Sequence, residues 1–218
     1  MKKTFTLLFL LGICTFSFAQ EKKDELKGSP SKDISAIKTA NELAKYGYQQ
    51  YSSSALLEAA RILIATPTQN IKTEGEAPTS TVKEKPEFAP SNLLADARKY
   101  ANKDANLLAL IDKAEKLLNT TKRGAVGGAR SGVYVVPGYS NHEFQIKFWG
   151  NELAEILASG DGDSDLDLYI YDENGNLIVY DNDYTDDCYV RWVPARTGLF
   201  TIRINNRGVA NRYILATN

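Results

Sequence analysis

The chain has 218 residues, enough for one or two domains, with 26 Lys and Arg against 27 Asp and Glu. A formal net charge of −1 is close to neutral, so nothing in the balance points to nucleic acid as a partner. A single His in the chain leaves little for acid–base or metal chemistry that depends on imidazole.

Lys2 and Lys3 precede an apolar run from Phe5 to Phe18, and Ser17 and Ala19 supply the small residues of a cleavage site before Gln20. The run is too short to span a membrane, so residues 1–19 read as a signal peptide of a secreted or periplasmic protein. The alternative, lipoprotein anchoring through Cys14, is a poorer match, because the bulky Ile13 precedes the Cys and the apolar run continues past it. Cys188 then remains alone, so no internal disulfide is available to the exported fold.

Residues 20–32 are charged and aperiodic, a flexible mature N-terminus. Residues 33–118 read as a helical module. Ile34, Ile37, Ala40, Ala44, Tyr48 and Tyr51 recur at helical spacing, Ser52–Ser54 offers a cap, and Leu56, Leu57, Ala60, Leu63 and Ile64 continue to Pro67. Four prolines over 66–90 mark a linker or a long exposed loop. A second hairpin follows through Leu93, Leu94 and Ala97, then Leu107, Ile111, Ala114 and Leu118. The first hairpin is similar in length to a tetratricopeptide repeat and carries Gly47 and Ala59, but lacks the signature tryptophan.

Glycines at 124, 127, 128 and 132 make 119–132 a second linker, and everything from 133 to 218 reads as strand. The expected strands are Val133–Val136, His142–Trp149, Glu152–Ala158, Leu166–Tyr171, Leu177–Tyr180, Cys188–Val193, Leu199–Asn205 and Arg212–Thr217. Asn174-Gly175 marks a tight hairpin between the fourth and fifth. The fold class is α+β multidomain: a small helical hairpin module followed by an antiparallel, jelly-roll-like β-sandwich.

The stretch Gly160-Asp-Gly-Asp-Ser-Asp-Leu-Asp-Leu-Tyr-Ile-Tyr-Asp172 sets carboxylates at alternate positions and runs into a strand. Residues 130–218 hold thirteen Asp and Glu against seven Lys and Arg, so anions crowd here. Calcium, a hard cation that takes six to eight oxygens, would relieve them. An EF-hand does not fit, since Leu166 stands where glycine is required. A two-loop site fits better, with Asp163, Asp165 and Asp167 on one side and Asp181 and Asp183 on the other. The bland alternative is that these aspartates are turn formers and solubilising charge. Tyr169, Tyr171 and Tyr184 lie beside these acids and are the expected ligand-binding residues; tyrosine is also at home on any sheet face.

Asp165-Leu-Asp-Leu-Tyr169, the Asp172–Gly175 turn, Asp181 and Asp183, Trp192-Val-Pro194, Thr197-Gly-Leu-Phe-Thr-Ile-Arg-Ile-Asn205 and Asn211-Arg-Tyr-Ile-Leu215 together resemble the bacterial pre-peptidase C-terminal domain. That resemblance implies a secreted sandwich, appended elsewhere to exported hydrolases, that stabilises or binds an extracellular polymer and in some members holds calcium. No catalytic domain precedes it here, and no metalloprotease, nucleophile-elbow or phosphate-loop motif occurs. His142 reads as an exposed strand residue and Cys188 as a small buried one. The expectation is an exported, non-enzymatic binding or stabilising protein whose partner is an extracytoplasmic protein or polysaccharide. The rivals are a helical adaptor for an envelope complex and a hydrolase using paired carboxylates such as Asp165 and Asp183.

Overall fold

The computed structural model describes residues 28–79, 88–120 and 128–218. The expected signal peptide, Cys14, most of segment 20–32 and the inner parts of both expected linkers lie outside the described residues.

Among these residues the helices are α1 (Lys32–Gln49), α2 (Ser53–Ala65), α3 (Pro90–Tyr100) and α4 (Ala105–Thr120). Three of them begin with chemistry local to the sequence. The Ser52 hydroxyl accepts from Ala55 N–H, Pro90 opens α3 where no N–H is needed, and Asp104 Oδ1 takes the N–H groups of Asn106 and Leu107. The start of α1 is closed from far away instead. The N–H of its cap residue Ser31 donates to both carboxylate oxygens of Glu155, at 3.1 and 3.3 Å. A carboxylate at this end also meets the positive pole of the helix dipole.

The strands are β1 (Gln69–Asn70), β2 (Arg130–Val136), β3 (Asn141–Phe148), β4 (Ala154–Ser159), β5 (Leu166–Tyr171), β6 (Leu177–Asp181), β7 (Asp187–Trp192), β8 (Gly198–Asn206) and β9 (Asn211–Thr217). The last eight are the strands read from the sequence, with ends shifted by a few residues. They form two sheets, β1-β2-β9-β4-β7 (sheet A) and β3-β8-β5-β6 (sheet B), antiparallel except for β1 against β2. Gly175, with φ +79°, closes the β5–β6 turn as Asn-Gly predicts, and its N–H donates to Asp172 O at 3.0 Å.

The strand β1 corrects the expectation of a linker over 66–90. Gln69 and Asn70 pair parallel with Arg130 and Ser131, and Glu74 N–H donates to Gln145 O at 2.9 Å. This segment carries no apolar pattern because main-chain pairing needs none.

The helices pack directly on the sandwich. Leu157 of β4 and Ile214 and Ala216 of β9 are buried in the same core as Ile34, Ile37, Leu56 and Leu93, with Tyr189 of β7 packed against it. Sheet A is therefore covered on both faces, and every residue of β4 and β9 is buried. The second core lies between the sheets, around Phe144, Ile146, Ile156, Leu168, Ile202 and Tyr213. Sheet B keeps one face in water, and β3 alternates exposed and buried from Asn141 to Phe148. The architecture is three layers: helices, sheet A, sheet B.

Candidate binding site

The acidic loops meet at one end of the sandwich. Asp167, 1% exposed, accepts from Arg207 Nε at 2.6 Å. Asp181 turns to the backbone of β7 and accepts from Tyr189 N–H at 2.9 Å. Asp183 closes its own turn by accepting from the Thr185 N–H and hydroxyl, at 2.9 and 2.7 Å. Asp163 is exposed in the β4–β5 loop. Asp165 Oδ1 is buried with no hydrogen-bond partner, and burial followed by the charge of Asp167 raises its carboxyl above the usual range.

These five aspartates lie in the loops and strand ends at one end of the sandwich. Among the described residues no group of three or more His, Cys, Asp or Glu side chains converges as a metal ion requires. Protein cations occupy the neighbourhood. Arg207 is held by Asp167, and Lys45 of α1 bonds to Asp186 at 3.2 Å and Asp187 at 2.8 Å. Burial works to lower the Lys45 pKa, but the bonds and charges of Asp187 and Asp186 outweigh it and raise it above the ordinary lysine value. Beside it, the buried Asn41 amide donates to Ser159 Oγ at 2.8 Å and Gly160 O at 2.6 Å, while the Ser159 hydroxyl donates to Asp187. One face of α1 thus fastens the start of the β4–β5 loop and the end of the β6–β7 loop.

The tyrosine expectation divides. Tyr169 and Tyr171 stand together on the water-facing side of sheet B, whereas Tyr184 is 97% exposed at the tip of the β6–β7 loop, away from them. The strand register aligns Glu143, Arg203, Tyr169 and Tyr180 in one row and Gln145, Thr201 and Tyr171 in the next. The rings of Tyr169 and Tyr180 stack at 6.0 Å, and those of Tyr169 and Tyr171 at 6.4 Å. The Arg203 guanidinium lies 5.2 Å from the Tyr171 ring centre and pairs with Glu143 at 2.6 Å. Gln145 Nε2 donates to Thr201 Oγ1 at 2.7 Å. The face is a pleated platform of aromatic edges and paired donors and acceptors, suited to a ligand rich in hydroxyls. Tyr180 belongs to the same sequence cluster of tyrosines as Tyr169 and Tyr171, whereas Arg203 is not among the residues the sequence singles out. Period-two alternation already turned both outward, but only pairing shows that they share a row.

Neither His142 nor Cys188 is accessible. His142 is not the exposed residue expected; it is buried, Nδ1 lies 2.9 Å from the Tyr213 hydroxyl, and burial lowers its pKa to about 4. Its strand starts with that side facing the core, under Tyr213 and Phe144. Cys188 is buried as expected, donates to Leu166 O at 2.9 Å, and burial pushes its thiol well above the usual range.

No family model matches the chain, and no curated protein matches it. Among solved structures the sandwich is similar to the pre-peptidase C-terminal domain of a Bacillus anthracis collagenase, at 11% identity and TM-score 0.34, over 40% of this chain and 87% of that one. It is also similar to PliG, a periplasmic inhibitor of g-type lysozyme from Aeromonas hydrophila, at 13% identity and TM-score 0.34, over 44% and 91% of the two chains. A xylan-binding domain from Paenibacillus barcinonensis matches at 13% identity and TM-score 0.27, over 45% and 86%. At these identities and scores the likeness does not assign the chain to a family.

Proposed function

We propose that this chain is an exported, non-catalytic binding protein that holds a polysaccharide on the exposed face of sheet B. The observation that carries the reading is the cluster of stacked tyrosines, Tyr180, Tyr169 and Tyr171, beside the Arg203–Glu143 pair. Sugar rings present apolar faces and directed hydroxyls, and this platform offers rings and polar groups without a deep cleft. Export rests on residues 1–19, and among the described residues no helix is long and apolar enough to cross a membrane. Titration calorimetry against a panel of soluble neutral and N-acetylated polysaccharides tests it. Tyr169→Ala and Tyr171→Ala are each expected to weaken binding by roughly tenfold, about 1.4 kcal/mol. Unchanged affinity in both variants, or no binding across the panel, sinks the reading.

A second reading, a helical adaptor for an envelope protein, is favoured by the exposed Leu110 and Leu117 on one side of α4. It predicts that Leu110→Glu with Leu117→Glu removes a partner retained by the native chain from an envelope extract. Retention of that partner by the double variant would rule the adaptor out.

A further inference from the structure

A sheet edge is a row of unpaired main-chain donors and acceptors, and this sandwich guards three of its four edges. In sheet A, β1 shortens one edge to two residues. At the other, the outward N–H groups of Asp187 and Tyr189 donate to Thr185 Oγ1 at 3.3 Å and Asp181 Oδ2 at 2.9 Å. In sheet B, β3 sets Glu143 and Lys147 along its edge and gives Gln145 O to Glu74 N–H. The fourth edge, β6, carries no such guard, and its run Leu177-Ile-Val-Tyr180 is uncharged and rich in strand formers.

The register shows which β6 groups face outward. Arg207 N–H donates to Asp165 O at 2.9 Å, so the main chain of Asp165, Asp167 and Tyr169 turns to β8 and that of Leu168 and Ile170 to β6. Leu168 and Ile170 lie opposite Asp181 and Val179, whose N–H and C=O groups therefore point inward. Planar trans peptides then turn Ile178 O, Tyr180 N–H and Tyr180 O outward. Among the described residues none of these three has a main-chain partner.

Ile178 also lines a cavity of about 370 Å³ between the β5–β6 hairpin and the β7–β8 turn, with Val193, Pro194, Leu199 and Phe200 as apolar wall. Glu173 and Arg196 at its margin pair with each other at 2.5 Å. Past the other end of β6, Asp183 is exposed, and among the described residues no cation pairs with it.

We propose that the β6 edge binds an extended segment of a partner protein as a fifth strand of sheet B. The segment's main chain takes Ile178 O, Tyr180 N–H and Tyr180 O, and one large apolar side chain enters the cavity beside Ile178. A Lys or Arg about five residues along, about 16 Å in an extended chain, meets Asp183. A saccharide lacks donors and acceptors at strand spacing, and a hydrocarbon would leave the edge unpaired. The inference is independent of the polysaccharide reading, because it uses the β6 main chain and not the outer rings of Tyr169 and Tyr171.

The probe is a displayed library of random nonapeptides selected on the full chain. The expected consensus holds a large apolar residue and a Lys or Arg about five positions apart. Tyr180→Pro removes an outward N–H where an edge strand tolerates its loss, and is expected to weaken the selected peptide at least roughly tenfold. Asp183→Asn, which keeps the acceptor for its own turn, should weaken it roughly threefold. Gly198 lines the cavity, and a Cβ there meets only Glu173 Oε2, at 3.3 Å, so Gly198→Leu should erase the preference for a large apolar residue. A second test leaves the protein unaltered. N-methylation of successive peptide amides should abolish binding at every second position only, and hydrogen exchange at Tyr180 N–H should slow in the complex. No enrichment, or a selected peptide indifferent both to Tyr180→Pro and to methylation, overturns the proposal. A native dimer in sedimentation equilibrium that Tyr180→Pro turns into a monomer assigns the edge to a second copy and overturns it too.

Discussion

Lys45 in α1 and Asp187 in β7 meet at 2.8 Å across the boundary between the helical layer and the sandwich. The same ammonium lies 3.2 Å from Asp186, which is buried. A cation from one end of the sequence thereby neutralises carboxylates near the other, and removing it strands them. Lys45→Met is expected to cost about 3–5 kcal/mol, the usual scale for breaking a buried pair from one side. The raised Lys45 pKa gives the sign with pH: the contribution is complete below the ordinary lysine value and is lost as pH rises through the higher folded value. Denaturant melts at neutral and strongly alkaline pH check both parts. Equal stability of variant and native chain at neutral pH would refute the assignment.

Glu155, 1% exposed, ties three elements together by accepting from Ser31 N–H at the head of α1 and from the Tyr189 hydroxyl at 2.5 Å. Glu155→Ala leaves both donors without their partner and removes the carboxylate from the helix terminus. A loss of about 2–4 kcal/mol is expected, with Glu155→Gln recovering part of it. Hydrogen exchange should locate the damage in the first turn of α1. Damage confined to β4 would contradict the capping role.

Acid should weaken the fold through His142. Its folded pKa, about 4, lies below the ordinary value because burial disfavours the charged ring. As pH falls from about 6.5 the unfolded chain takes up a proton that the folded chain refuses, so stability falls, by at most about 3 kcal/mol near pH 4. His142→Gln should flatten the stability profile over that window. An identical profile in the variant would remove His142 as the cause.

Calcium is the expectation that the acidic loops most directly put to the test. With Arg207 on Asp167 and Lys45 on Asp186 and Asp187, millimolar calcium is expected to leave the melting temperature unchanged. A rise reversed by chelation and abolished in Asp165→Asn would instead place the ion on the orphan Asp165 oxygen. Without calcium, Asp165→Asn should be neutral or stabilising. Its raised carboxyl makes the charged form the unfavourable one in the fold, opposite in sign to a paired aspartate.

The tyrosine platform was half legible. Leu166 to Tyr171 alternates so regularly that Tyr169 and Tyr171 must face away from Leu168 and Ile170, and they do. That Tyr180 and Arg203 flank Tyr169 depends on β5 lying between β6 and β8. Tyr184 was grouped with them only by nearness in sequence, and a loop tip carries no such constraint. The third layer also had a trace that went unread: Ala154–Ser159 and Tyr213–Ala216 run nearly without polar alternation, which marks strands buried on both faces.

By itself the sequence determined what short-range physics controls. Helical stripes such as Ile34, Ile37, Ala40 and Ala44, the alternation of β3, and the Asn174-Gly175 turn each depend on neighbours a few residues apart. Only the tertiary structure decided that the helices cover sheet A, that Lys45 pairs with Asp187, and that Trp192 lines a cavity. Charge compensation and cavity shape are set by residues distant in sequence, and single-strand periodicity carries no information about which of them meet.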